Sequence, residues 1–154
     1  MPSIRIFLDS SALFAGVLSS KGAARALLVL SEMGQIELLV SEQVIIETER
    51  SLARKIPAAL PGFRQAVKDA AIKILNDPSA KAVAECFHMI RDRSDAPILA
   101  AAIKAKVDFL VTHDRKHFLD DARVVKRSGL RIGTPGEALA WFGEKESSRN
   151  CAVP

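Results

Sequence analysis

Short apolar, β-favouring runs alternate along this chain with segments of helical spacing, and this alternation restricts the fold more than any other feature. The runs occupy residues 5–8, 36–40 and 107–112, with a short fourth run at 130–132. Strands that are apolar on both faces are typical of parallel sheets covered by helices on both sides. The sequence therefore predicts an α/β fold with a mostly parallel sheet flanked by helices.

Helix start and stop residues mark most of the connecting segments. Ser41 is a typical N-cap, Gly34 and Pro57 are typical helix ends, and Thr134 opens a capping box with Glu137. The predicted helices are 23–33, 42–55, 63–74, one that begins near Pro97, and a last one that runs to about Phe142. Residues 80–90 fit a helix or a strand.

The chain's 154 residues fit one domain, which we predict over residues 1–142, followed by a polar, disordered tail at residues 143–154. No run approaches the ~20 apolar residues of a membrane span, and the N-terminus lacks a signal-peptide pattern. We therefore expect a cytoplasmic protein with no membrane partner. The two cysteines, Cys86 and Cys151, indicate neither a disulfide framework nor a CxxC metal motif.

The net charge of +4 and the pI of 9.3 favour a polyanionic partner, although many basic proteins bind nothing anionic. Neither GxGxxG nor GxxxxGK[ST] occurs in the sequence, which argues against a nucleotide-binding site of those types.

Four carboxylates that are distant in sequence each stand next to an apolar segment. Asp9 and Asp114 follow the first and third strands, Asp95 precedes a helix, and Glu47 lies on the second turn of the helix that follows the second strand. Ligands of parallel sheets bind outside the carboxyl ends of the strands. We therefore predict that the four side chains reach one pocket.

Each carboxylate also has an ordinary structural explanation. Asp95 could favour a helix dipole, Glu47 could be solvated while Glu49 takes its place, Asp9 could form an Asx-turn, and Asp114 could end a strand. Four unrelated explanations for one shared edge are less economical than one site. The sequence therefore favours a shared acidic site.

An acidic site of this kind supports a specific chemistry. Hard oxygen ligands select Mg²⁺ or Mn²⁺ over zinc, and such ions activate water and stabilise charge on a phosphodiester. Basic residues next to the carboxylates in sequence could hold flanking phosphates or simply be solvated. The candidates are Arg91, Arg93, Arg115 and Lys116.

Four blocks of the sequence resemble the acidic blocks of PIN-domain proteins. They read LDSSAL at 8–13, VSEQVIIE at 40–47, RDRSDAPILAAA at 91–102 and VTHD at 111–114, and IGTPGEAL at 132–139 resembles the family's usual ending. The resemblance runs in order from residue 5 to about residue 142.

This resemblance implies a Rossmann-like, three-layer α/β/α domain that acts as a Mg²⁺- or Mn²⁺-dependent endoribonuclease, usually on single-stranded RNA. The residues that match metal-binding and catalytic carboxylates are Asp9, Glu47, Asp95 and Asp114. Ser11 matches a small polar residue that supports the first carboxylate, and Thr112 matches the hydroxyl before the last one. Many prokaryotic members are toxins that pair with an antitoxin, and they commonly form homodimers.

Two features depart from the family pattern. His113 stands where the family often has glycine, and Asp92 could be an outer carboxylate of the site or a turn residue. His113 and His117 are four residues apart and could ligate a metal on a helix, but no helix is predicted there.

Two other functions compete with the nuclease. A phosphatase of the aspartate type would need a second aspartate where Ser11 stands. A non-catalytic RNA-binding or regulatory module would need no complete acidic site.

Overall fold

Five parallel strands form the central sheet of the computed structural model, which describes residues 3–152 and, within them, every side chain except that of Arg115. The strand order is β3-β2-β1-β4-β5. The strands are Arg5–Leu8 (β1), Glu37–Ser41 (β2), Lys73–Leu75 (β3), Phe109–Val111 (β4) and Ile132–Gly133 (β5).

Helices flank the sheet and account for most of the remaining chain. They are Ser10–Leu18 (α1), Ala23–Glu32 (α2), Glu42–Lys55 (α3), Leu60–Asp69 (α4), Ala80–Glu85 (α5), Ala96–Lys104 (α6), Ala122–Ser128 (α7) and Pro135–Cys151 (α8). Helix α1 packs against α2 and α3, α2 against α8, and α5 against α6. The structure confirms the predicted three-layer α/β/α fold with a parallel sheet.

The central strand β1 pairs with β2 on one side and β4 on the other. Ile6 is in register with Leu38 of β2 and with Phe109 of β4, and all three side chains are buried. A buried aliphatic or aromatic side chain contributes roughly 1.5–3 kcal/mol relative to an exposed one. The apolar runs of the sequence therefore form the core, and their carboxyl ends meet at one edge of the sheet.

Two predicted helix starts are confirmed in detail. The Ser41 side chain accepts a hydrogen bond from the backbone N–H of Val44 at 3.3 Å, where α3 leaves β2. At the start of α8, the Thr134 hydroxyl oxygen accepts from the backbone N–H of Glu137 at 3.2 Å, and the Glu137 side chain lies 3.2 Å from the same hydroxyl. Local capping chemistry therefore fixes both helix starts.

The predicted helix over residues 63–74 is wrong in its second half. Helix α4 ends at Asp69, and Ala71 takes a left-handed conformation with φ of 51°. Residues Lys73–Leu75 then form β3, which pairs with residues 39–41 of β2. The left-handed turn at Ala71 interrupts the helix. Ile74 and Leu75 therefore belong to β3, a strand that the sequence did not predict.

The C-terminal helix is longer than predicted. Helix α8 continues to Cys151, although residues 143–154 were expected to be a disordered tail. Trp141 anchors the helix on the Phe109 ring, with ring centroids 5.6 Å apart, and Arg149 pairs with Glu146 at 3.1 Å further along the helix. Residues 153 and 154 lie outside the described part of the chain.

Other differences are local. Helices α1 and α7 were not predicted, and the segment 80–90, which was left open, begins with the short helix α5. Over the described residues, no single helix is long and apolar enough to cross a membrane; only α1 and α2 taken together, with an 85° bend, meet that length and composition.

Candidate metal centre

Asp9 lies directly after β1 and is almost fully buried, with 6% of its surface exposed. Its Oδ1 atom accepts hydrogen bonds from the backbone N–H of Ala12 at 2.9 Å and from the Ser11 hydroxyl at 2.7 Å. Its Oδ2 atom accepts a hydrogen bond from the hydroxyl of Thr112, just past β4. Asp9 is therefore both the N-cap of α1 and the innermost carboxylate of this edge.

Burial raises the pKa of the Asp9 carboxyl, because an ionised group is poorly solvated in the protein interior. Hydrogen bonds from Thr112, Ser11 and Ala12 lower the pKa and oppose part of that rise. The nearby charge of Asp114 raises the pKa further. These donors hold the carboxylate in place but leave its charge uncompensated, as expected of a group that meets a cation.

Hydrogen bonds connect the end of β4 to the start of α1. The Thr112 side-chain oxygen accepts from the backbone N–H of Asp114 at 2.9 Å, and the Ser11 hydroxyl oxygen accepts from the backbone N–H of His113 at 3.0 Å. Thr112 itself is fully buried. Asp114 is thereby held on the same side of the sheet as Asp9. Ser11 and Thr112 both donate their hydroxyls to the Asp9 carboxylate.

His117 connects Asp114 with Asp95. Its backbone N–H donates to Oδ1 of Asp114 at 3.0 Å, and its Nδ1 atom lies 3.3 Å from Oδ2 of the same residue. The same Nδ1 atom lies 2.5 Å from Oδ2 of Asp95. Asp114, which follows β4, and Asp95, which precedes α6, therefore contact the same imidazole.

The pKa of Asp95 is raised to about 6, chiefly because its side chain is largely buried, with 19% of its surface exposed. The imidazole of His117 opposes this rise, whereas the charges of Asp114 and Asp92 add to it. The Oδ2 atom is buried and, despite its short distance to His117, meets no partner in hydrogen-bond geometry among the described residues. A cation would satisfy this oxygen.

Asp92 is both a turn residue and a neighbour of the acidic cluster, by which we mean the carboxylates of Asp9, Asp95 and Asp114. Its Oδ1 atom accepts from the hydroxyl and the backbone N–H of Ser94, at 2.7 and 2.9 Å, and these bonds lower its pKa. Its Oδ2 atom lies 3.4 Å from Nε2 of His117. One oxygen of Asp92 therefore holds the turn and the other faces the imidazole.

Glu47 hydrogen-bonds within its own helix. It is half-buried on α3, which leaves the same edge of the sheet, and its Oε1 atom accepts from Nε2 of Gln43 at 2.8 Å. Among the described residues no side chain bridges it to Asp9, Asp95 or Asp114. Glu49, its competitor in the sequence, pairs instead with Arg64 of α4 at 3.5 Å.

Three of the four basic candidates lie beside the acidic cluster. Arg91, Arg93 and Lys116 line a hollow of about 250 Å³ together with Asp92 and His117. The Arg93 guanidinium also stacks over the Phe87 ring at 4.8 Å from its centroid. The side chain of Arg115 lies outside the described part of the structure.

The donor set fits a hard divalent cation. Carboxylate oxygens from Asp9, Asp95 and Asp114 approach one edge of the sheet, and two of these residues have raised pKa values that a cation would lower. In the described part of the chain, the basic group in contact with Asp95 and Asp114 is an imidazole.

A sequence model of the PIN domain matches residues 5–116, which is well over half of the chain. The chain belongs to the PIN-domain family. The matched range includes all four predicted carboxylates, from Asp9 to Asp114. A search of curated proteins gave no match to this PIN domain.

Solved structures with the same fold include PAE2754 from Pyrobaculum aerophilum. It is 19% identical, has a TM-score of 0.64, and the match covers 92% of this chain and 90% of that one. VapBC2 from Rickettsia felis, bound to a DNA fragment from its promoter, is 15% identical with a TM-score of 0.62, and the match covers 85% and 98%. The Sarcin-Ricin loop cleaving toxin VapC20 from Mycobacterium tuberculosis is 20% identical with a TM-score of 0.49, covering 72% and 91%.

His117 is the residue of this PIN domain that the sequence did not assign to the site. The sequence suggested it only as a partner of His113 on a helix, but His113 is exposed and precedes the π-helical turn Arg115–Leu119. Its position three residues after Asp114 could have indicated its place in the site. A capping carboxylate accepts the backbone N–H of the third residue after it, as Asp114 does from His117.

Proposed function

We propose that this PIN domain is a divalent-metal-dependent endoribonuclease that hydrolyses phosphodiester bonds of RNA. The observation that carries the proposal is the buried Asp9 carboxylate, which the Thr112 hydroxyl ties to the backbone of Asp114. A buried anion beside a second carboxylate is costly unless a cation joins them.

Asp9, Asp95 and Asp114 would hold Mg²⁺ or Mn²⁺, with Glu47 as the fourth carboxylate of the centre. When bound, the ion supplies Lewis acidity at the phosphodiester and makes water a better nucleophile. The hydrogen bonds from Ser11 and Thr112 keep the Asp9 oxygens oriented toward the edge of the sheet. Asp92 supports the imidazole that contacts Asp95.

The basic hollow beside the carboxylates supports a polyanionic substrate. Arg91, Arg93 and Lys116 line it, and Arg115 precedes Lys116 in the chain. The net charge of +4 favours the same kind of partner. In our proposal these residues bind phosphates on either side of the bond that is cut.

We further propose that the protein acts in the cytoplasm as a homodimer and is the toxin of a toxin–antitoxin pair. Support comes from the shared fold with VapBC2, whose structure contains promoter DNA, and from PIN-family membership. Co-expression with the product of a neighbouring gene, followed by co-purification, tests the antitoxin.

Cleavage of single-stranded RNA with Mn²⁺ tests the nuclease. Asp9→Asn and Asp95→Asn should each abolish cleavage while the far-ultraviolet circular dichroism stays that of the wild type. Asp69→Asn is the matched control, because Asp69 is an exposed residue of α4 whose side chain bonds Gln65. Wild-type cleavage by purified Asp9→Asn would refute the proposed centre.

A second candidate is a non-catalytic RNA-binding or regulatory PIN domain. The observation that favours it is the His117 imidazole, which already lies between Asp95 and Asp114. This candidate expects RNA binding without cleavage at any divalent ion concentration, and unchanged binding after Asp9→Asn.

A further inference from the structure

We propose that Asp92, Asp95 and His117 form a cation position with a nitrogen ligand that selects a transition metal such as Mn²⁺ over Mg²⁺. Because Asp95 is shared with the centre described above, this inference rests on the proposed function and specifies its metal. Asp92 and His117 lie outside the four-carboxylate set.

The spacing of the three side chains matches one bound ion. One ligand atom from each lies within 4.8 Å of the others, and Nε2 of His117 is 3.4 Å from Oδ2 of Asp92. Two donors that each lie about 2.1 Å from an ion are about 3.0 Å apart at octahedral angles and about 3.4 Å apart at tetrahedral ones. The separation of Nε2 and Asp92 therefore already suits two ligands of one ion, and Asp95 belongs to the same group of three.

Local hydrogen bonds and turns hold each ligand in position. His117 is fixed by its own N–H bond to Asp114, Asp92 by two bonds from Ser94, and Asp95 by the turn Arg93–Asp95 that leads into α6. Asp92 and His117 keep 42% and 28% of their side-chain surface exposed. The position is therefore preformed and open to an ion from solvent.

The imidazole alone does not balance the charge around it. Three carboxylates, those of Asp92, Asp95 and Asp114, lie within 3.4 Å of its nitrogens. Even a protonated imidazole carries one positive charge against three negative ones. The buried Oδ2 atom of Asp95 has Nδ1 of this imidazole, at 2.5 Å, as its close polar neighbour. A divalent ion supplies the missing positive charge.

The nitrogen ligand decides which ion fits best. Mg²⁺ prefers oxygen ligands and retains its waters, whereas first-row transition metals accept imidazole readily. Two carboxylates and one imidazole therefore favour Mn²⁺ and the later divalent metals over Mg²⁺. A purely carboxylate centre lacks this preference.

Pulsed electron paramagnetic resonance of the Mn²⁺-loaded chain detects the nitrogen directly. The protein has three histidines, at positions 88, 113 and 117, so few nitrogens compete for the assignment. The wild type should show ¹⁴N coupling to bound Mn²⁺, His117→Gln should lose it, and His88→Gln should keep it. Mn²⁺ affinity should fall about tenfold in His117→Gln, while Mg²⁺ affinity changes much less.

Absence of ¹⁴N coupling in the wild type, or its persistence in His117→Gln, would overturn the inference. His113→Gln distinguishes the neighbouring exposed histidine and should keep the coupling. Because the backbone of His117 makes the bond to Asp114, His117→Gln should keep the fold, and a thermal melt checks this. None of these measurements needs RNA. A chain that fails to cleave RNA can therefore still show the nitrogen ligand, and a chain that cleaves RNA can still lack it.

Discussion

Thr112 donates its hydroxyl proton to the carboxylate of Asp9, which lies 103 positions earlier in the chain. The same hydroxyl oxygen accepts the backbone N–H of Asp114 at 2.9 Å. One buried side chain thereby sets the relative positions of two carboxylates at the ends of adjacent strands. The stability of the fold and the geometry of the site depend on the same group.

Thr112→Val should therefore destabilise the protein and weaken metal binding. Valine keeps the shape of threonine but removes the donor to Oδ2 of Asp9 and the acceptor of the Asp114 N–H, a loss of about 1–3 kcal/mol. Urea unfolding and Mn²⁺ titration measure the two effects. Thr112→Ser retains the hydroxyl and should keep most of the metal affinity; equal loss in both variants would contradict the assigned role.

The raised pKa of Asp95 predicts a specific dependence of stability on pH. Because folded Asp95 holds its proton up to about pH 6 and unfolded Asp95 only to about pH 3.8, the free energy of unfolding falls as pH rises between these values. The cost above pH 6 is at most about 3 kcal/mol. Without metal, Asp95→Asn should be more stabilising at pH 7.5 than at pH 4 by up to that amount.

Denaturant unfolding in a chelating buffer at the two pH values checks this prediction. Asp69→Asn, a substitution of an exposed carboxylate, should show no such difference. Added Mn²⁺ should stabilise the wild type more than Asp95→Asn at pH 7.5, because the ion binds the charged carboxylate. An equal effect of Asp95→Asn at both pH values would show that burial does not raise this pKa.

The basic hollow predicts how RNA binding depends on salt. Each lysine or arginine that contacts a phosphate of single-stranded RNA contributes about 0.7 to the slope of log affinity against log salt. Arg91→Ala, Arg93→Ala and Lys116→Ala, measured in a metal-free buffer, should each reduce the slope by about that amount. Lys145→Ala is the control, because Lys145 lines a hollow with Ser3 and Arg5 at the opposite edge of the sheet. A slope that none of the three variants changes would remove the hollow from the binding surface.

The close packing around Gly133 of β5 predicts that a larger side chain there would disturb the site. A Cβ atom there would lie 3.0 Å from Cζ of buried Phe109 and 2.9 Å from Oε2 of Glu137, while the Gly133 carbonyl accepts the backbone N–H of Thr112. Gly133→Ala should therefore cost about 1–3 kcal/mol and lower Mn²⁺ affinity. Gly136→Ala has its nearest contact at 3.9 Å and should change the free energy of unfolding by less than about 1 kcal/mol. Similar losses in both variants would contradict the close approach at Gly133.

The edge of the sheet that carries the site could be predicted because strand ends are visible in the sequence. Apolar runs that stop at Asp9 and Thr112 mark where two parallel strands end, and parallel strands end on the same side. Ser41 similarly showed where α3 begins, and hence the edge of the sheet from which this helix, with its Glu47, departs. These features depend on burial and capping, which are local properties of the sequence.

Other features depend on contacts between distant residues. Strand β3 has three residues, and its Lys73 and Ile74 are exposed, so no buried run distinguishes it from the helix before it. The place of His117 depends on the π-helical turn that Asp114 caps. Helix α8 packs on the sheet through Trp141 and Phe109, a contact between residues that are distant in sequence. None of these contacts leaves a periodic pattern in the sequence.

The strand order also determines when the site can exist during synthesis. Strand β1 lies between β2 and β4, and Asp9 needs a hydroxyl that is made 103 residues later. A nascent chain that ends before β4 holds the first carboxylate but neither its hydrogen-bond donor Thr112 nor Asp114. The ribosome must therefore complete most of the domain before the carboxylates of the two strand ends can come together.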